Sequence, residues 1–173
     1  MINNGSIIGG ADAPTYLFLV FSWLNLIGLI IVVLMLIPNM VYAFRKKGQA
    51  NRCRNKLMNI LEQVGRYGCM FLMIFNLGIT ERGFASKGLF IAYLFGNTVL
   101  LLSYWIIWAL FFRKADYPKQ IALAVIPAMI FILNGVTMMY LLLAVFGVIF
   151  GVAHIYVTRE NRVCAESEVR GPV

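Results

Sequence analysis

The chain has 173 residues and a formal net charge of +8, with 61% hydrophobic and only 13% charged residues. Soluble domains sit nearer half apolar and a quarter charged, so this composition excludes an ordinary soluble fold and leaves no room for a separate soluble domain beside a membrane part. The positive charge does not point to nucleic acid, because the bases cluster beside apolar runs, where they set topology and meet the headgroups of a lipid bilayer.

Residues 1–15 are short, polar and glycine-rich, and read as an extracytoplasmic N-terminal segment. No basic n-region and no evident cleavage site mark a removable signal peptide. Within this segment, Ser6-Ile7-Ile8-Gly9-Gly10-Ala11-Asp12-Ala13-Pro14-Thr15 resembles the motif Gly-Gly-Ala-Asp-Gly-Pro-Thr of the β subunits of sodium-translocating decarboxylases. The resemblance covers about ten residues. It implies a re-entrant loop with Asp12 as an ion-coupling residue. Ala13 departs from the family's glycine, and that family is longer, with a second membrane repeat. Read without the resemblance, Asp12 to Thr15 is a turn that starts a helix, with Pro14 and Thr15 near its first turn.

Five apolar runs follow. Span one covers about 16–44, longer than the roughly 20 residues a bilayer core requires, with Pro38 as a kink point. Asn25, Gly28, Val32 and Asn39 recur along it at helical spacing. Arg45 to Lys56 then hold six bases and no acid. Span two, 57–79, carries Glu62 and Arg66, the only acid and base well inside any apolar run. Asn59, Glu62, Gln63 and Arg66 share one helical face, and Glu62 and Arg66 stand at i, i+4 in the favoured order for an ion pair. Counted back from Ile79, Arg66 sits about 10 Å inside one membrane face. The pair is either interfacial, with side chains that snorkel to water, or buried at a site.

Span three, 88–112, places Asn97, Leu101, Tyr104 and Trp108 on one stripe, with Trp105 and Trp108 as candidates for an interfacial aromatic belt. The apolar stretch 120–157 is too long for one span, and Asn134-Gly135 followed by Thr137-Met-Met-Tyr140 offers the only turn chemistry in it. It divides into 120–136, which contains Pro127, and 140–157, joined by a tight hairpin. The second of these carries Gly147-Val-Ile-Phe-Gly151, a GxxxG pattern for close helix packing, with His154 on the same face. Residues 158–173 read as a polar, mobile cytoplasmic tail.

Twelve bases fall on one side of this arrangement and two on the other. The positive-inside rule then predicts an all-α bundle of five transmembrane helices in the cytoplasmic membrane, N-terminus outside and C-terminus inside. Cys53, Cys69 and Cys164 are odd in number and fit no zinc spacing, so neither a disulfide framework, a metal site nor a cofactor is expected.

Asn39, Glu62, Arg66, Tyr104 and His154 come from four spans and fall at one depth in the cytoplasmic half. With Asn59 and Gln63 they form the candidate ligand-binding set. They either bind a solute or satisfy one another as polar contacts between helices. No HExxH, nucleophile elbow or carboxylate pair points to catalysis, and the reading leans away from an enzyme. Three classes remain: a transport-type protein that binds or moves a small solute or ion, a non-catalytic partner subunit, and a membrane enzyme acting on a lipid or isoprenoid. A homo-oligomer or larger membrane complex suits the first two. Transport requires a water-accessible path, a subunit an exposed small-residue face, and an enzyme a pocket open to lipid.

Overall fold

The structure, a computed structural model, describes residues 24–45, 55–75, 84 and 86–170. These form five helices: α1 (Leu26–Arg45), α2 (Lys56–Ile74), α3 (Lys87–Arg113), α4 (Tyr117–Thr137) and α5 (Leu141–Arg170). Among the described residues there is no strand, only an isolated antiparallel bridge between Leu24 and Phe75. Asp12 and Cys53, and the parts of the expected first two spans at 16–23 and 76–79, lie outside the described residues.

Each start follows from local chemistry. Asn55 and Ser86 cap α2 and α3, their side chains accepting from Met58 N and Leu89 N. Helix α4 starts at Tyr117, ahead of the expected Gln120, because Pro118 supplies a preset φ where its missing N–H costs nothing. In the corner before it, Asp116 Oδ2 accepts from Lys119 Nζ at 3.0 Å. That hydrogen bond, with the Lys114 charge behind it, holds the Asp116 carboxyl below its ordinary titration range.

Helices α1, α3 and α4 and the stretch Leu141–Cys164 are long and apolar enough to cross a membrane. Helix α2 is not among them, since Lys56, Asn59, Glu62, Gln63 and Arg66 fall within its 19 residues. Glu62, Gly65 and Cys69 are buried, while Leu57, Ile60, Val64, Tyr67 and Phe71 point outward. A water-soluble helix has the reverse polarity.

Neighbouring helices run antiparallel in chain order, and the most extensive packing is of α4 and of α2 against α5. Small residues set the close approaches. A Cβ at Gly135 would lie 2.4 Å from Ala144 N, and one at Gly65 would lie 2.9 Å from Phe150 Cα. Gly147 and Gly151 meet Ile132 and Ala128 of α4. The stripe of Asn97, Tyr104 and Trp108 forms the buried face of α3. Trp108 is therefore not a belt residue: it packs against Tyr42 and Phe111, while Trp105 is exposed.

The expected hairpin between spans 120–136 and 140–157 is found, though Asn134-Gly135 itself is helical. Helix α4 runs past it to Thr137, because Asn134 is buried and hydrogen-bonded to α3 and Gly135 admits α5. The turn is Met138-Met139, with Met139 at φ 53°. Tyr140 N donates to Gly135 O at 2.7 Å and Met139 N to Val136 O at 3.2 Å. This is the paired closure of a Schellman motif, completed by a residue other than glycine. One expectation here fails in detail: the tail is not separate, and α5 continues to Arg170, with the Arg162 guanidinium 4.9 Å from the Tyr117 ring centroid. That helix is about 45 Å long and overshoots a 30 Å core.

Met139→Gly should raise stability by about 1 kcal/mol, since glycine removes the left-handed penalty and the Met139 side chain is exposed. An unchanged melting temperature in detergent would show that the turn carries no strain. Gly135→Ala should cost about 1–3 kcal/mol or more, because the clash is with backbone that cannot rotate away. Gly88→Ala, which meets only Ser86 Oγ at 3.6 Å, is the control and should be neutral or mildly stabilising.

Candidate functional site

The site lies toward the end of the bundle where α1 and α3 finish and α2 and α4 start. Its centre is Glu62, with a residue exposure of 5%. The Glu62 carboxylate pairs with Arg66 one turn along α2, and its Oε1 lies 2.9 Å from His154 Nδ1 of α5. The three side chains form one ionisable cluster across the α2–α5 contact.

Phe150 organises this contact. Its backbone sits against Gly65, so α2 and α5 come close enough for Glu62 to reach His154. Its ring stacks on the His154 imidazole, with centroids 5.0 Å apart and planes 16° apart. The Arg66 guanidinium lies 6.0 Å from the same ring centroid. Both cationic or potentially cationic groups thus share one carboxylate and one aromatic ring. Glu62 is the enclosed member, with 6% of its side chain exposed, against 22% for His154 and 33% for Arg66.

Beside this cluster, Asn39 Nδ2 of α1 donates to Tyr104 Oη of α3 at 2.8 Å and to Met35 O at 3.0 Å. Tyr104 is buried, and the Arg66 charge is within electrostatic reach of its hydroxyl. Asn39, Glu62, Arg66, Tyr104 and His154 therefore gather at one depth. Two members of the expected set stand apart. Gln63 is exposed on the flank of α2, and Asn59 is half-buried in its first turn. At about 100° per residue, Gln63 turns well away from the face that meets α5. Gly147 and Gly151 shape the site indirectly: they bring α5 against α4, while Phe150 and His154 turn to α2.

Among the described residues, no group of three His, Cys, Asp or Glu side chains is placed to hold a metal ion. The cluster can instead exchange a proton between carboxylate and imidazole or, with His154 protonated, carry a net positive charge.

The sequence reading missed a second buried polar group in the other half of the bundle. Asn25, Asn97, Asn134 and Thr137 are all buried there. Asn134 Nδ2 donates to Asn97 Oδ1 at 2.8 Å, and Asn25 Oδ1 accepts from Gly28 N at 3.0 Å. The available signal was the stripe of α4 on which Leu123, Pro127, Ile130 and Asn134 repeat at helical spacing, which places Asn134 on the buried face.

No family model, curated protein or solved structure matches this chain.

Removing one charge of the pair should have unequal effects. Arg66→Met leaves the enclosed carboxylate with His154 alone and should cost about 3 kcal/mol. Glu62→Gln leaves a guanidinium that reaches water and should cost about 1 kcal/mol. Denaturation of the purified protein in detergent measures both, and equal costs would mean that Glu62 is solvated.

Proposed function

We propose that the chain is a small multi-pass protein of transport type in the cytoplasmic membrane, which binds or moves a small solute or ion through the Glu62–Arg66–His154 cluster. The observation that carries this reading is the enclosed Glu62 carboxylate, shared between Arg66 of its own helix and His154 of α5. Ionisable groups within membrane helices are costly and mark ion or solute pathways by default. Many hydrogen-bonding pairs would serve a structural contact, and a carboxylate shared with an imidazole can in addition take up and release a proton.

The same reading makes α2 a fifth transmembrane helix. Its apolar outer row suits lipid, and its one acid, Glu62, is turned inward and neutralised there. In this reading the basic end of the bundle faces the cytoplasm, as the distribution of lysine and arginine implies. The resemblance around Asp12 favours an ion as the cargo or the coupling species. The protein acts as a homo-oligomer or within a larger membrane complex, whose contacts would use faces other than Gly147 and Gly151, which α4 occupies.

The test uses sidedness of thiol labelling in proteoliposomes, with the three native cysteines replaced by alanine. His154→Cys should react with a membrane-impermeant reagent added from the cytoplasmic face, and also from the other face when the site opens outward. Failure to react from either face would remove the water path that transport requires. In the same background, Ser86→Cys should react only from outside and a restored Cys164 only from inside. The opposite pattern would reverse the orientation.

A further inference from the structure

The second polar group has a feature its internal hydrogen bonds do not explain. One terminal atom of the Asn134 amide lies 2.6 Å from Ile130 O and 2.8 Å from Asn97. A backbone carbonyl only accepts, so this atom is Nδ2. In Asn97, the atom 2.8 Å from Tyr93 O is Nδ2 for the same reason, so the atom that faces Asn134 is Oδ1. Both amide orientations are thereby fixed. The remaining terminal atom, Asn134 Oδ1, is a strong acceptor on a residue with 0% exposure, and no described protein group donates to it. The hydroxyl of Tyr93, buried beside Asn25, is a second group that no described residue meets, whereas two others are committed. Thr137 Oγ1 donates to Leu133 O at 2.7 Å, and Asn25 Nδ2 turns to Met138 Sδ at 3.9 Å. A buried acceptor of this kind costs about 1–3 kcal/mol when left unmet, and folded proteins meet such groups with ordered water or an ion.

We propose that Asn134 Oδ1 holds an ordered water, buried between α3 and α4, that donates a hydrogen bond to it. The site stands on the geometry of α3 and α4 and holds whether or not the chain transports anything. If transport does occur, this site is a second polar station, at the opposite end of the bundle from Glu62.

Hydroxyl-radical footprinting of the full chain in nanodiscs tests this, because radicals formed from bound water oxidise adjacent methionines even where bulk water cannot reach. Met138, buried one turn from Asn134, is the reporter. Met35, buried about three turns along α1 from Asn25, is the negative control, and the exposed Met139 is the positive one. Met138 should be oxidised well above Met35, and Asn134→Leu should reduce it to that level while Met139 is unchanged. If Met138 is as protected as Met35 in the native protein, or remains labelled in Asn134→Leu, the proposal is overturned. Should that variant not fold, the native profile decides alone. A melting temperature that rises with sodium chloride but not with choline chloride, and only while Asn134 is present, would place a cation at the oxygen and overturn the assignment to water.

Discussion

A carboxylate enclosed among apolar helices has to be neutralised where it stands, and much of this molecule follows from how Glu62 is neutralised. Arg66 alone could do so within α2, but at 33% side-chain exposure it also reaches outward. His154 supplies the contact from the opposite side, and that requires α5 to lie close along α2. The close approach depends on Gly65, where any side chain would meet the backbone of Phe150. Helix α5 is in turn held by α4 through Gly135, Gly147 and Gly151. The ion cluster and the glycine contacts are therefore one arrangement: without the small residues the charges do not meet, and without the charges α2 has no partner for its polar face.

The same constraint explains the polarity of the bundle. Outward rows such as Leu57, Ile60, Val64 and Tyr67 on α2, or Ile30, Val33 and Ile37 on α1, are apolar. Inward positions hold Asn25, Glu62, Asn97, Asn134 and Thr137. Apolar packing between helices in lipid has little directional preference, since the solvent is as apolar as the side chains. Directional contacts then set register. Asn39 to Tyr104 fixes α1 on α3, Asn97 to Asn134 fixes α3 on α4, and Glu62 to His154 fixes α2 on α5.

The all-helical architecture was legible because apolar runs of helical length between basic clusters leave few alternatives. The cluster of Glu62, Arg66, Tyr104, Asn39 and His154 was legible for a simpler reason: depth along a helix can be counted in residues. What could not be counted was azimuth between helices. Gln63 shares one broad helical face with Glu62 in the sequence, but it stands about 100° from Glu62, and only Glu62 faces α5. Turn chemistry placed the hairpin between 136 and 140, where it is found, although Asn134 and Gly135 themselves serve a buried amide contact and a close helix crossing. The polar tail did mislead, because polarity marks exit from an apolar core without marking the end of a helix.

The two buried polar groups also constrain any motion. On α3 they are represented by Asn97 and Tyr104, two turns and about 10 Å apart. Between them lie Met35 and Phe131, each no more than 2% exposed. Polar contacts at both levels fix the helices against sliding, since a shift of one turn would break Asn97–Asn134 and Asn39–Tyr104 together. The α2–α5 seam differs, because its cross-helix polar contact runs through a histidine whose role depends on its proton. Sliding of α3 strands the buried amides of Asn97 and Asn134, whereas the strength of the α2–α5 polar contact follows a single proton. The α2–α5 seam is thus the contact of the bundle that protonation can weaken or strengthen, within packing that Gly65 and Phe150 keep close.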